Sequence, residues 1–203
     1  MGMHGTMFVH LRRYTEERLG GTAWNEILIA AGLGPRVYLP IRSYPDEEME
    51  AIVGAASGTA ELEIPQLLES FGEYVAPHLL AMYRHLLKPE WRTLEVLLHV
   101  EETAHRAVRV EQPGAAPPYL AARRISDQQA EVHYTSSRRL CFVPKGIIRG
   151  LSSHFGERVS IHESECMHRG DRRCLLLVSA AALSAPGRRD SSSRPAATAS
   201  SAD

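Results

Sequence analysis

Lysine is nearly missing: Lys88 and Lys145 stand alone among 23 basic residues, so almost all positive charge is guanidinium. That bias suits bidentate carboxylate contacts, and genomic base composition explains it equally well. The 24 acidic residues leave a formal charge of -1, which excludes a general affinity for nucleic acid or an anionic membrane. Cysteine is scarce too. Cys141, Cys166 and Cys174 form no C-x-x-C pair and are odd in number, excluding a disulfide framework and leaving metal binding, redox sensing or inert buried thiols. Long apolar runs are absent: Leu175 to Val178 and Ala180 to Leu183 are interrupted by Ser179 and fall short of the roughly 20 residues a bilayer span needs. The opening MGMHGTMFVHLRRYTEE meets charge before an apolar run forms. No secretory signal and a cytoplasmic location are therefore expected. No nucleophile-base pair, phosphate loop or internal repeat is visible, and the expectation is that the protein is not an enzyme.

What is present fits one globular domain, with 44% hydrophobic and 23% charged residues. Met7 to Ala31 carries apolar residues at helical steps, broken at Gly20-Gly21 into two helices. Gly5 marks an initiating turn or a close backbone approach, the turn being the simpler reading. Ser43 to Glu48 starts a helix over 47–57, with Ser43 or Asp46 as cap. Between Glu63 and Leu87 two helical runs are expected, divided at Pro77. After these, Leu94, Leu97, Leu98, Glu101 or Glu102, His105 and Val108 follow at steps of three and four. His105 thus projects from a largely apolar stripe of a helix ending near Glu111. A buried imidazole there needs a partner, and a hydrogen-bonded core histidine is the simplest one. His99, six residues earlier, falls on another face.

Beyond the Pro113, Pro117, Pro118 loop the period becomes two. Tyr119 to Ile125 and Ala130 to Arg138 read as one hairpin, Lys145 to Phe155 as a helix, and Val159 to Met167 with Arg173 to Val178 as a second hairpin. Alternation along a strand would put Tyr134, Ser136 and Arg138 on one side, a row of donors suited to carboxylates. An exposed polar strand face would look the same. Cys166 and Cys174 flank the second hairpin, with Cys141 ending the Tyr134 strand. Residues 181–203 are Ser, Ala, Pro and Arg without apolar period, and read as a disordered tail.

A helix-borne His105, the Pro-Gly-Ala-Ala-Pro-Pro stretch and Tyr-x-Ser-x-Arg, in that order, resemble the heme nitric oxide/oxygen binding (H-NOX) family, the sensor domain type of soluble guanylate cyclase. Met3-His4-Gly5, Trp24-x-x-Ile27 and Phe71-Gly72-Glu73-Tyr74 are similar to further motifs of that family, so the resemblance covers most of the chain. It implies an α+β fold over 1–180, with an N-terminal helical lobe (about 1–60) packed on a lobe with a mainly antiparallel sheet and helices (about 61–180), and heme b between them. His105 would be the proximal iron ligand; Tyr134, Ser136 and Arg138 would hold the propionates; Pro118 would distort the porphyrin. Met7, Leu11, Val143 and Ile147 match distal positions. None is a strong donor, and Val143 stands where oxygen-binding members have tyrosine, which implies a nitric oxide sensor, also open to carbon monoxide, that discriminates against oxygen. Release of His105 and lobe movement would signal to a histidine kinase or cyclic-dinucleotide enzyme. The resemblance further implies a zinc site of Cys141, Cys166, Cys174 and His162, with His168 competing as the fourth ligand. Two other classes fit parts of the chain. One is a zinc/thiol redox sensor of the same fold; the other is a vinyl-reductase-like small-ligand domain, which would need neither His105 nor the Tyr-Ser-Arg row.

Overall fold

In the computed structural model, which describes residues 2–112 and 114–183, Pro113 and residues 184–203 of the expected tail lie outside the described residues. The chain is a mixed helix and sheet fold. A short strand β1 (Gly2–His4) leads into α1 (Gly5–Leu19) and α2 (Ala23–Ala30), split at Gly20-Gly21 as the sequence expects. Strand β2 (Ser43–Pro45) pairs antiparallel with β1 and runs straight into α3 (Asp46–Ala60). Asp46, Glu47 and Glu48 occupy its first turn, where they complement the helix dipole. Gly5 is the close approach rather than a plain turn: a Cβ there would stand 2.0 Å from the carbonyl oxygen of Leu39.

Helix α4 (Ile64–Met82) is one helix, not two, with Pro77 inside it. Proline has no N–H to give the carbonyl one turn earlier, that of Glu73. The weak point is packed rather than exposed, because α7 (Phe142–Phe155) lies against α4 at backbone distance. Cβ atoms at Gly72 and Gly150 would meet Val143 O at 2.3 Å and Glu73 O at 2.7 Å. Tertiary contact here overrides a local break signal.

After a 3-10 turn (Arg84–Leu86), α5 (Thr93–His99), a π-helical turn (Glu101–His105) and α6 (Arg106–Glu111) form one interrupted helix. The sheet is four-stranded and antiparallel, built from β3 (Tyr119–Ser126), β4 (Gln129–Thr135), β5 (Glu157–Glu165) and β6 (Cys174–Ala182) in the order β3-β4-β6-β5. Among the described residues two large apolar cores result. Phe8, Leu11, Ile27, Ile52, Leu67 and Phe71 fill the one among α1–α4, while Leu94, Leu97, Val132, Leu151, Leu176 and Val178 fill the one between α5, α7 and the sheet. Ile147 of α7 touches both. No helix of the described residues is long and apolar enough to cross a membrane.

One buried group gives the fold a pH dependence. His10 of α1 is 6% exposed, stacks on His78 of α4 at 4.9 Å, and its Nδ1 has no partner among the described residues. Burial first, then His78 and Arg13, push its pKa from 6.5 down to about 4. The folded value lies below the unfolded one, so the unfolded chain takes up the proton first. The stabilisation is therefore complete above pH 6.5 and is lost as pH falls toward 4. Roughly 3 kcal/mol is at stake over that window. Chemical denaturation at pH 7, 5.5 and 4 should show the wild type losing that much more stability than His10→Phe; equal losses would refute the assignment.

Candidate heme pocket

The two cores leave a largely apolar cavity of about 250 Å³ where they meet, with walls from α1, α4, α5, α6, α7 and the Pro117-Pro118 loop. His105 lies on this wall. The continuous stripe expected from the sequence is interrupted just there: the N–H of His105 reaches the carbonyl of Val100, five residues back, at 3.0 Å. A π turn of this kind is rare and is frequently found at functional sites. The side chain is 17% exposed, and its Nδ1 donates to Glu101 Oε2 at 2.9 Å. Burial lowers the pKa of His105 more than Glu101 raises it, so the ring is neutral at pH 7. Because an ionised carboxylate only accepts, the Nδ1 proton is fixed and Nε2 keeps its lone pair. For Glu101, burial opposes ionisation, yet hydrogen bonds from His105, the Leu120 N–H and Arg109 bring its pKa below the usual range. His99 is no rival: it is outside the cavity wall, stacked on Trp91 at 4.6 Å and bonded to Glu102.

Tyr134, Ser136 and Arg138 all reach the cavity, though not as a strand row. Strand β4 ends at Thr135, and Ser136 to Arg138 continue as a turn whose next residue, Arg139, has φ +52°. The alternation argument therefore holds for Tyr134 alone. Its pKa is raised, by burial above all, so it remains a hydroxyl donor. Arg138 is 6% exposed; Nε donates to Asp46 Oδ1 at 2.6 Å and Nη1 to the Ala116 carbonyl at 2.7 Å. Among the described residues its buried Nη2 has no partner. A buried guanidinium N–H with no acceptor is costly, and a ligand carboxylate is the group that would satisfy it. Together with a neutral imidazole and apolar cover, the residues present fit a heme with its propionates.

Met7, Val143 and Ile147 line the cavity as expected, and so does Pro118. Leu11 does not; it is fully buried in the helical core, one turn of α1 beyond Met7. Tyr83 and His4, polar groups that no sequence motif marks as donors, stand on the same walls. Tyr83 follows the last turn of α4; its helical spacing with Leu79, Leu80 and Leu86 reads as ordinary packing and carries no sign of a site. His4 is already engaged as the α1 cap, its Nδ1 accepting from the Thr6 N–H at 3.2 Å.

The three cysteines do converge, with sulfurs within 4.8 Å of one another and Cys166 3.9 Å from Cys174. They pack against Tyr134. Neither histidine joins them. His162 points outward from β5, since its neighbours Ile161 and Glu163 take the inner side, and His168 bonds the Arg139 carbonyl at 2.7 Å. Of the expected four-ligand set, the described residues thus bring together the three thiols and neither histidine. Burial foremost pushes Cys141 and Cys174 above the usual thiol range, so both are protonated at neutral pH.

The family model described as Haem-NO-binding matches residues 4–163. No curated protein matches the chain. Among solved structures, the Shewanella oneidensis H-NOX protein in its Fe(II)NO state superposes with a TM-score of 0.81 at 24% identity, over 88% of this chain and 99% of that one. A T. tengcongensis H-NOX mutant gives 0.77 at 23% identity, with 88% and 97% covered. The unliganded Fe(II) H-NOX protein of K. algicida gives 0.76 at 20%, again with 88% and 97% covered.

Proposed function

The chain belongs to the Haem-NO-binding family, whose members are heme-binding gas-sensor domains and not enzymes, and from this we propose that it senses nitric oxide at ferrous heme while discriminating against oxygen. The observation that carries the reading is the pairing, in one cavity, of a neutral His105 with the unpartnered Nη2 of Arg138. His105 would ligate the iron, and Tyr134, Ser136 and Arg138 would hold the propionates. Heme b bound there supplies a ferrous iron with a coordination position for a diatomic gas. Bound oxygen carries partial negative charge and needs a donor, whereas nitric oxide does not. Met7, Val143 and Ile147 offer none. Carbon monoxide should bind as well.

Signalling in this reading is a movement of His105. With heme bound, His105 would hold the iron and Pro118 would press on the porphyrin; loss of these two holds would let the helical lobe shift against the sheet lobe, a two-state change biased by ligand. Arg138 ties the two halves, since its partner Asp46 begins α3. The receiver is expected to be a histidine kinase or a cyclic-dinucleotide enzyme.

Absorption spectra of the reduced protein test this. Nitric oxide and carbon monoxide should shift the Soret band, and air should give no stable oxygen complex. Val143→Tyr, which adds a hydroxyl to the cavity wall, should create one. A stable oxygen complex in the wild type would sink the discrimination argument and point to Tyr83 as the donor, which Tyr83→Phe would then remove.

A further inference from the structure

The carboxylate of Glu101 holds more than a helix salt bridge requires. Its Oε2 accepts from His105 Nδ1 at 2.9 Å and from the Leu120 N–H at 3.1 Å, while its Oε1 accepts from Arg109 Nη2 at 2.6 Å. Three donors from three places converge on one side chain. Glu101 sits in the π turn, Arg109 lies in α6, and Leu120 follows the Pro117-Pro118 wall at the start of β3. A surface ion pair at i,i+4 would leave Glu101 free to swing; here the backbone N–H of β3 fixes one oxygen and the guanidinium fixes the other.

We propose that Glu101 is a positioning residue that sets the strength of the bond between His105 and iron, with Arg109 moderating it. This rests on the reading of His105 as the iron ligand. An ionised acceptor on Nδ1 draws that proton and makes Nε2 a better donor to metal; such outer partners also lock the tautomer and the ring orientation. Arg109 works against this by drawing electron density from the same carboxylate. The balance decides how readily His105 is released, and Leu120 carries the position of Glu101 directly into β3.

The two substitutions Glu101→Gln and Arg109→Met should therefore act in opposite directions. In the reduced holoprotein, resonance Raman should place the iron–histidine stretching band of Glu101→Gln below wild type, with a higher reduction potential and heme loss roughly 10- to 100-fold faster. Arg109→Met should move the band up and the potential down. If both variants leave the band in place, or both lower it as loosened packing would, the proposal is overturned. Should Glu101→Gln fail to retain heme, Arg109→Met decides alone, because an unmoved or lowered band refutes the moderating role. His105→Gly is the control that keeps the two readings apart. A wild-type band that survives this substitution overturns the ligand assignment and the Glu101 proposal with it, whereas a band that vanishes there yet ignores Glu101 and Arg109 overturns the proposal only.

Discussion

Replacing His105 with glycine should leave a folded protein that no longer holds heme through a protein ligand. The fold survives because Glu101 keeps two of its three partners, the Leu120 N–H and Arg109, when the imidazole is removed. The side chain itself stands on a cavity wall rather than in either apolar core. Loss of binding should be large. Disturbing only the outer partner of a metal ligand already weakens binding 10- to 100-fold, so deleting the ligand should exceed about 100-fold. Equilibrium heme titration of the apoprotein reads this out, and added imidazole should restore the reduced spectrum by entering the space left behind. Wild-type affinity in the variant would mean that the iron is held elsewhere.

The largest effect on stability should come from a residue with no side chain. A Cβ on Gly146 of α7 would lie 1.9 Å from the carbonyl oxygen of Glu69, 2.8 Å from its carbon and 2.9 Å from the nitrogen of Glu73, all backbone atoms of α4. No rotamer change relieves such a contact, so Gly146→Ala must push the two helices apart. Overpacking typically destabilises by 1–3 kcal/mol and sometimes more, and we expect about 3 kcal/mol or above here. For a chain of this size that lowers Tm by roughly 6–12 °C. Because α4 and α7 both wall the cavity, heme affinity should fall as well. Gly54→Ala is the contrast. Gly54 is an exposed position in α3 with nothing within 4 Å of the added atom, so alanine should stabilise by about 0.5–1 kcal/mol. A smaller loss at Gly146 than the gain at Gly54 would refute the backbone-contact account.

How far the site could be read from the residues follows the range of the interactions. Helical spacing puts His105 on an apolar stripe, where a hydrogen-bonded core histidine is the simplest reading, and only the family resemblance makes it an iron ligand; Cys166 meets Cys174 because the two flank the loop that joins β5 to β6. Local periodicity failed at Pro77, where the packed glycines of α7 keep α4 continuous. It failed again past Thr135, where a turn, not a strand, delivers Ser136 and Arg138 to the cavity. His162 was misplaced for the related reason that a one-residue difference on a strand reverses the face.

The sequence by itself determined a helical half followed by a strand-rich half, which depends on periods of 3.6 and 2, and it supplied the residue types, an imidazole, hydroxyl and guanidinium donors and apolar cover, to which only the family resemblance gives roles. Only the tertiary structure decided what those groups do together. It paired Arg138 with Asp46, 92 residues away, left Nη2 without a partner, opened the helix into a π turn at His105, and set Glu101 between that ring and the first strand of the sheet. Such contacts arise from packing between distant elements, whose energy depends on shape and direction, and neither is written in the spacing of residues along the chain.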